Sequence, residues 1–399
     1  MIINMNIERL GKKLKLKTKE SILLRASVIL LLTKYESYVN DQEDHKEDAA
    51  QFLHTSINEY LNTKNENVSS YLIPYFEFIN NMEDNEALYD VIKEIKESEL
   101  PYPDNKDIVL DMTKDDKKSL GIVLTPQHIA DLMAQLINVS ENDTLLDTCS
   151  GTGRLAMTQQ ETKDIICIEK EPYMYALLLL NALLKDINTD SLILGDSFKY
   201  EPNKKANKAI INPPYNLGEG LTELNFIISA LNKMAPEGEL AAIVPMSVAI
   251  DCKKSKLALR KELLENHTLK LVVAMPDELF TPTANTNTCI MVFKSHVPHN
   301  SESWFGRWKD DGFTKTKNDG RINKNNSWEP IKEQWINQYN NKEVIPNVCC
   351  KATVSASDEW CAEAYLETDY SKLTQADFEK AIFNYAIYKL IEEHNNEDC

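Results

Sequence analysis

An α/β protein built on a doubly wound parallel sheet, with an α-helical domain in front, is the fold this sequence predicts. Three observations carry the expectation. Residues 1–105 show helical periodicity and no strand-like alternation. From Thr144 onward, short apolar runs alternate with segments of helical length, as in successive βαβ units. The first of those runs enters the turn Asp147-Thr148-Cys149-Ser150-Gly151-Thr152-Gly153 and then a helix, a layout that brings backbone close to a ligand.

The chain has 399 residues, room for two or three domains, and we expect a helical domain at 1–105, an α/β catalytic domain at 106–300 and a C-terminal extension at 301–399. Its composition, 43% hydrophobic and 27% charged, is that of an ordinary globular protein. The longest apolar run, Ile22–Leu32, contains Arg25 and is too short to span a bilayer. With no charged-then-apolar leader at the start, a cytoplasmic protein with no membrane association is expected. Eight scattered cysteines without a C-x-x-C read as reduced thiols, and no metal site is expected; Cys349, Cys350 and Cys361 cluster without a nearby histidine. A net charge of −18 argues against unaided binding to duplex DNA, which favours a basic surface. A local basic face or a second subunit would have to supply the grip.

In the N-terminal part, Leu53, Ile57, Tyr60 and Leu61 share one helix face, as do Leu88, Val91, Ile92 and Ile95. The basic run Lys12–Lys19 is read as a solvated helix start, with nucleic-acid contact as the alternative. Pro101–Asp104 has linker character. In Gly121–Gln127, Thr125 suits a helix N-cap and Pro126 the first helical position, ahead of an apolar stripe from Ile129 to Ile137. Asp164–Glu169 is the second strand of the sheet, Pro172–Lys185 a helix packed on it, and Ser191–Gly195 a third strand ending at Asp196 in the phrase GDSF. An acid at the position of Glu169 can accept both hydroxyls of a ribose. Gly151-x-Gly153-x-x-Ala156 also fits a dinucleotide fingerprint, so the loop alone leaves NAD as a competitor.

The chemistry concentrates in Ala209–Tyr215, AIINPPY. A short apolar strand stops at Asn212-Pro213-Pro214-Tyr215, because two prolines cannot continue a ladder. The loop leaves the sheet at a strand's C-terminal edge, where open α/β sheets bind ligands. The Asn212 side-chain oxygen and the Pro213 carbonyl can both accept from an amino group on a planar ring, drawing its lone pair out of conjugation. Tyr215 offers a flat face for that ring. A plain strand-ending turn is the alternative.

NPPY resembles the catalytic tetrapeptide of S-adenosylmethionine-dependent N6-adenine methyltransferases. Related tetrapeptides occur in glutamine and RNA-base amino methyltransferases. The G-x-x-x-T-P-Q phrase ahead of the glycine loop, with NPPY behind it, matches the gamma motif order and resembles the modification subunits of type I restriction systems. Val123 stands where an aromatic is common. The resemblance implies a Rossmann-like sheet and S-adenosylmethionine as cofactor, held by Thr125, Pro126, Asp147, Gly151, Gly153, Glu169, Asp196 and Phe198. It implies Asn212, Pro213, Pro214 and Tyr215 as the catalytic set and Phe280 as a second aromatic at the target base. Transfer would be a direct attack by the amine on the sulfonium methyl, without a metal. The base must leave the duplex stack first.

Further on, strands are expected at Pro236–Pro245, Lys270–Met275 and Thr288–Phe293, with helices near Thr222–Met234 and Lys254–Glu265. Trp304–Trp328 interleaves aromatics with basic residues, read either as a surface hairpin or as a nucleic-acid track, and Arg307, Lys315, Lys317 and Arg321 are the candidate DNA contacts. The segment also resembles the D-G-[FY] region of type I modification subunits. An amphipathic helix over 365–395 suits core packing or a partner helix. An oxidoreductase would have no reason for T-P-Q or NPPY, and a non-catalytic assembly subunit tends to lose Asn212 or the glycines. The alternatives left are an RNA-base or protein-glutamine enzyme and a self-sufficient DNA methyltransferase. The expected partners are duplex DNA, a specificity subunit and a second modification subunit, with a restriction subunit as a further one.

Overall fold

The computed structural model describes residues 7–101, 123–157, 162, 164–215, 220–251, 253–281, 284, 286–316, 321–367 and 374–385. Its centre is a nine-stranded sheet of β1 (Leu145–Asp147), β2 (Ile165–Glu169), β3 (Leu192–Leu194), β4 (Ala206–Ile211), β5 (Met234–Pro245), β6 (Thr268–Ala274), β7 (Thr288–Lys294), β8 (Ser303–Arg307) and, after a two-stranded hairpin of β9 (Thr314–Lys315) and β10 (Arg321–Ile322), β11 (Cys349–Ala352). The order across the sheet is β11-β8-β6-β7-β5-β4-β1-β2-β3. Strands β1 to β5 pair in parallel, and β7 runs antiparallel between β5 and β6. The expected doubly wound sheet is present. It continues past residue 300, where β8 and β11 lengthen its β6 side.

Both faces of the sheet are covered, which is why its strands read as continuous apolar runs. In β2, Ile165 and Cys167 join one core while Ile166 and Ile168 join the other, the period of two that a pleat imposes. The first core takes in the helices Gln127–Leu136 and Pro172–Leu184 and the N-terminal helices. The second is closed by Leu224, Ile227 and Leu231 of Glu223–Asn232 and by Leu263 of Lys254–Asn266.

The N-terminal helices pack around Thr18–Lys34, which is buried from Ser21 to Leu32. Arg25 therefore lies inside, and Glu99 neutralises it at 3.0 Å with neither side chain exposed. Asn65 and Asp84 cap the helices that follow them by accepting from the N–H groups of Val68 and Ala87. The bundle rests on the helix after β2: Tyr71 donates to the Pro172 carbonyl at 2.9 Å and Tyr173 to the Lys19 carbonyl at 3.2 Å. The run Lys12–Lys19 is partly engaged within the chain, Lys12 by Glu8 and Lys19 over the Tyr173 ring.

The segment from 304 to 328 carries the expected hairpin, β9–β10, but its large aromatics do not lie on the surface. Trp304, Phe305, Trp308 and Trp328 are all buried, and a helix, Trp328–Asn340, adds Trp335 stacked on Trp308 with centroids 5.0 Å apart. These rings are core and cannot serve as a stacking platform for bases. Of the helix expected over 365–395, residues 375–385 are helical, with Phe378, Ile382 and Tyr385 exposed, whereas 365–367 are not. The expected helix positions 368–373 and 386–395, the linker at 102–104 and the boundary at 105 lie outside the described residues. Among the described residues no helix is long and apolar enough to cross a membrane, and no cluster suited to a metal ion is found.

Candidate active site

Parallel strands put their C-terminal ends on one edge, so Asp147, Glu169 and Asn212 arrive together from β1, β2 and the end of β4. From β1 the sheet grows outward through β2 and β3 on one side and through β4 and β5 on the other. The glycine loop and NPPY therefore flank the switch point, where a crevice opens.

Gly151 and Gly153 have φ values of 54° and 86°, in the left-handed region. A Cβ at position 153 would also come within 2.6 Å of Leu178 Cδ1 and 2.7 Å of Met157 Sδ. Glu169 ties the loop down: its Oε2 accepts from the Gly151 N–H at 2.7 Å, and its Oε1 accepts from the N–H groups of Lys170 and Glu171 at 2.8 Å. Burial raises this carboxyl, against the lowering effect of those three bonds. Asp147 is buried more completely. One oxygen accepts from the Cys149 N–H at 3.0 Å, while Oδ2 has no partner in the described structure. Burial pushes the Asp147 carboxyl up to about 7, with nearby Glu169 adding to the rise. Asp196 accepts from the Phe198 N–H and pairs with Lys170 at 3.1 Å, and these hold it below the usual carboxylate range. Phe198 packs edge-on against Phe226 and remains 38% exposed.

At the other side of the crevice, the Asn212 amide donates from Nδ2 to Thr125 Oγ1 at 3.1 Å. Its Oδ1 is buried and finds no partner. Thr125 is therefore not the expected N-cap. The helix starts at Gln127, Pro126 stands at its cap position, and the threonine hydroxyl faces Asn212. The Thr125 carbonyl accepts from Arg154 Nε at 2.8 Å, so the phrase ahead of the glycine loop touches both the loop's helix and NPPY. Pro213 is buried and Pro214 exposed. Tyr215 donates to the Ile243 carbonyl at 3.3 Å, and its ring meets Phe280 nearly at right angles, centroids 6.4 Å apart.

The basic residues read as DNA contacts are occupied. Arg307 pairs with Glu363 at 3.1 Å and Lys315 with Glu278 at 2.9 Å. Arg321 makes a two-pronged pair with Asp311 at 2.6 and 2.8 Å, and Asp311 is fully buried. Lys317 lies outside the described residues. Two residues that sequence reasoning passed over complete this cluster: His128 contacts Asp311 at 3.1 Å and stacks on Phe313, centroids 3.9 Å apart. Burial lowers His128, and the Asp311 carboxylate only accepts, so a neutral ring donates from Nε2. Its place one helical residue after Gln127 and the acid in D-D-G-F were the available signals. Their pairing across 183 residues was not legible.

A family model described as N-6 DNA Methylase matches residues 107–394. The chain belongs to the N-6 DNA methylase family. A curated relative, the type II restriction enzyme and methyltransferase RM.BcgI of Heyndrickxia coagulans, is 28% identical over 301 residues, 69% of this chain and 47% of that protein. An uncharacterized RNA methyltransferase of Nanoarchaeum equitans is 25% identical over 171 residues, 43% of this chain and 34% of its own length. The chain thus spans half or less of the length of these relatives. A solved structure, the type I restriction-modification system methyltransferase subunit from Streptococcus thermophilus, superposes with a TM-score of 0.60 at 14% identity, covering 91% of this chain and 100% of that one. It establishes a shared fold.

S-adenosylmethionine, the cofactor this family implies, suits the residues present. The cofactor carries a cationic amino-acid end, two ribose hydroxyls and an adenine ring. Against these stand the buried Asp147 carboxyl with an unpartnered oxygen, Glu169 at the end of β2, and the exposed face of Phe198 beside Asp196.

Proposed function

We propose that this chain methylates the N6 amino group of adenine in DNA, as the modification subunit of a type I restriction-modification system. The observation that carries the reading is Asn212. Its amide nitrogen is committed to Thr125, which leaves the buried oxygen as a pure acceptor at the strand edge beside the glycine loop. An acceptor there matches an amine that is held by its N–H bonds while its lone pair attacks, the proton it sheds after alkylation passing to water. Leaving that buried oxygen without a partner costs on the order of 1–3 kcal/mol, which a hydrogen bond from an incoming amine would offset. The Tyr215 ring, set nearly at right angles to Phe280, would offer a flat face to a planar base, while Phe280 itself is buried in the core. S-adenosylmethionine, when bound, supplies an electrophilic methyl group. The protein's part is placement of the amine, the term that dominates when reactants need only be aligned.

Incubation with labelled S-adenosylmethionine and genomic DNA, followed by nucleoside mass spectrometry, tests the reading. N6-methyladenine is expected, and Asn212→Ala should abolish it while cofactor affinity is kept. N4-methylcytosine would retain the mechanism and replace the substrate. Binding of NAD in place of S-adenosylmethionine would refute the assignment. A specificity subunit and a second copy of this chain are part of the proposal, because the charge is −18 and the candidate basic residues described are internally paired. The named relatives lend support: one is a restriction enzyme and methyltransferase, and one a methyltransferase subunit.

A further inference from the structure

Thr125 lies in a phrase assigned to cofactor contact, yet its hydroxyl meets a different group. From the geometry we infer that Thr125 is a positioning residue for Asn212: its hydroxyl anchors the Asn212 side chain in the crevice. The inference rests on the amino-methylation reading above.

A primary amide is a donor at one end and an acceptor at the other, with nearly identical shapes. Packing alone cannot choose between the two orientations, and a hydroxyl can bond either end, so Thr125 fixes the place of the side chain and the incoming amine fixes its facing. Were the Asn212 amide turned by half a rotation, two N–H donors would face the incoming amine, which itself presents N–H donors. The approach would be donor against donor. The fold holds Nδ2 on Thr125 Oγ1 at 3.1 Å and leaves Oδ1 buried and unpartnered, the orientation that an amine requires.

Thr125 can hold the side chain in place because it is itself fixed. It is 3% exposed, and Arg154 Nε, on the helix opened by the glycine loop, grips its carbonyl at 2.8 Å. Three residues along, His128 is held between the Phe313 ring and the Asp311 carboxylate, which Arg321 anchors in turn. The hydroxyl is therefore presented from two sides of the crevice, by the glycine-loop helix and by the hairpin beyond the catalytic strands. Thr125 transmits their placement to the acceptor oxygen without touching the amine.

The test compares the full chain with Thr125→Val, which keeps shape and loses the hydroxyl, and with Thr125→Ser, which keeps the hydroxyl. Poly(dA) serves as methyl acceptor, since a single strand removes both sequence recognition and base unpairing from the measurement. Calorimetry measures S-adenosylmethionine affinity, and thermal melting shows whether each variant is folded. Thr125→Val should lower the single-turnover rate by about 10- to 100-fold, between the loss of one net hydrogen bond and that of a preorganised catalytic dipole. Its affinity for S-adenosylmethionine should stay within about threefold, and Thr125→Ser should restore the rate. Should the valine chain fail to fold, Thr125→Ala carries the same expectation. A valine variant with full rate overturns the positioning role alone, as does a variant whose only defect is weaker cofactor binding. A wild-type chain that binds NAD and no S-adenosylmethionine overturns the amino-methylation reading, and this inference falls with it.

Discussion

Removing the Asp311 carboxylate should cost the protein about 3 kcal/mol of stability. Asp311 accepts two bonds from Arg321 at 2.6 and 2.8 Å, one from His128 at 3.1 Å and one from the Phe313 N–H at 3.0 Å, all with its own side chain wholly buried. Burial alone would raise this carboxyl, but the bonds from His128 and Arg321 outweigh it and hold it below the usual range. Asp311→Asn strands a guanidinium that is 11% exposed. Breaking a buried pair from one side costs about 3–5 kcal/mol. Arg321 keeps a bond to the Phe313 carbonyl at 3.3 Å, which favours the lower end. Denaturant unfolding of Asp311→Asn, Arg321→Met and an Asp311→Leu/Arg321→Met double variant measures it. Each single change should lower stability by about 3 kcal/mol, and the double change by clearly less than their sum, because no charge is then left buried. The sign with pH also follows. A carboxyl depressed in the folded chain stabilises above its unfolded value, about 4, and loses that contribution as pH falls through its folded value. Asp311→Asn within about 0.5 kcal/mol of wild type would refute the clamp. Were Arg321 instead a phosphate contact, Arg321→Met would lower the salt dependence of DNA binding by about one charge, an effect not expected here.

Glu169→Ala should weaken S-adenosylmethionine binding roughly 10- to 150-fold, the equivalent of about 1.5–3 kcal/mol for bonds to a charged acceptor, as read by calorimetric titration. Asp147, raised to about 7, holds a proton in the folded chain that the unfolded chain releases near pH 4. Stability of the cofactor-free chain should therefore fall as pH rises from about 4 to 7, and thermal melts of Asp147→Asn should lack that slope. Gly153→Ala should lower stability and cofactor affinity together, since its Cβ meets Leu178 and Met157 well inside contact distance at φ 86°. Purified alone, the chain should methylate duplex DNA inefficiently and without site preference; efficient, site-specific methylation by the lone chain would rule out an obligate specificity subunit.

Sequence reasoning reached most of the sheet because its strands are apolar on both faces and are punctuated by turn residues. Thr288–Lys294 and Lys254–Asn266 fall within one residue of the spans expected at Thr288–Phe293 and Lys254–Glu265. It stumbled at the C-terminal part. Buried Trp304, Trp308 and Trp328 share a segment with lysines and arginines, and composition cannot tell a snorkelling basic rim around an aromatic core from an aromatic-lined binding track. The helix Trp328–Asn340 went unread for a similar reason, its tryptophans having been taken with the hairpin before it.

What the sequence determined by itself is the chemistry of the crevice. Glycines at 151 and 153, acids at the ends of two strands and a strand stopped by two prolines are local features, fixed by backbone sterics and side-chain type within a few residues. Tertiary structure alone decided the anchor of the Asn212 amide, the partners of Arg321 and the reason for His128. Two of these depend on a bond across a long separation, 87 residues from Thr125 to Asn212 and 183 from His128 to Asp311, and the third on how the hairpin folds Arg321 back onto Asp311. A lone residue type states what it can donate or accept. Only the closed fold states to whom.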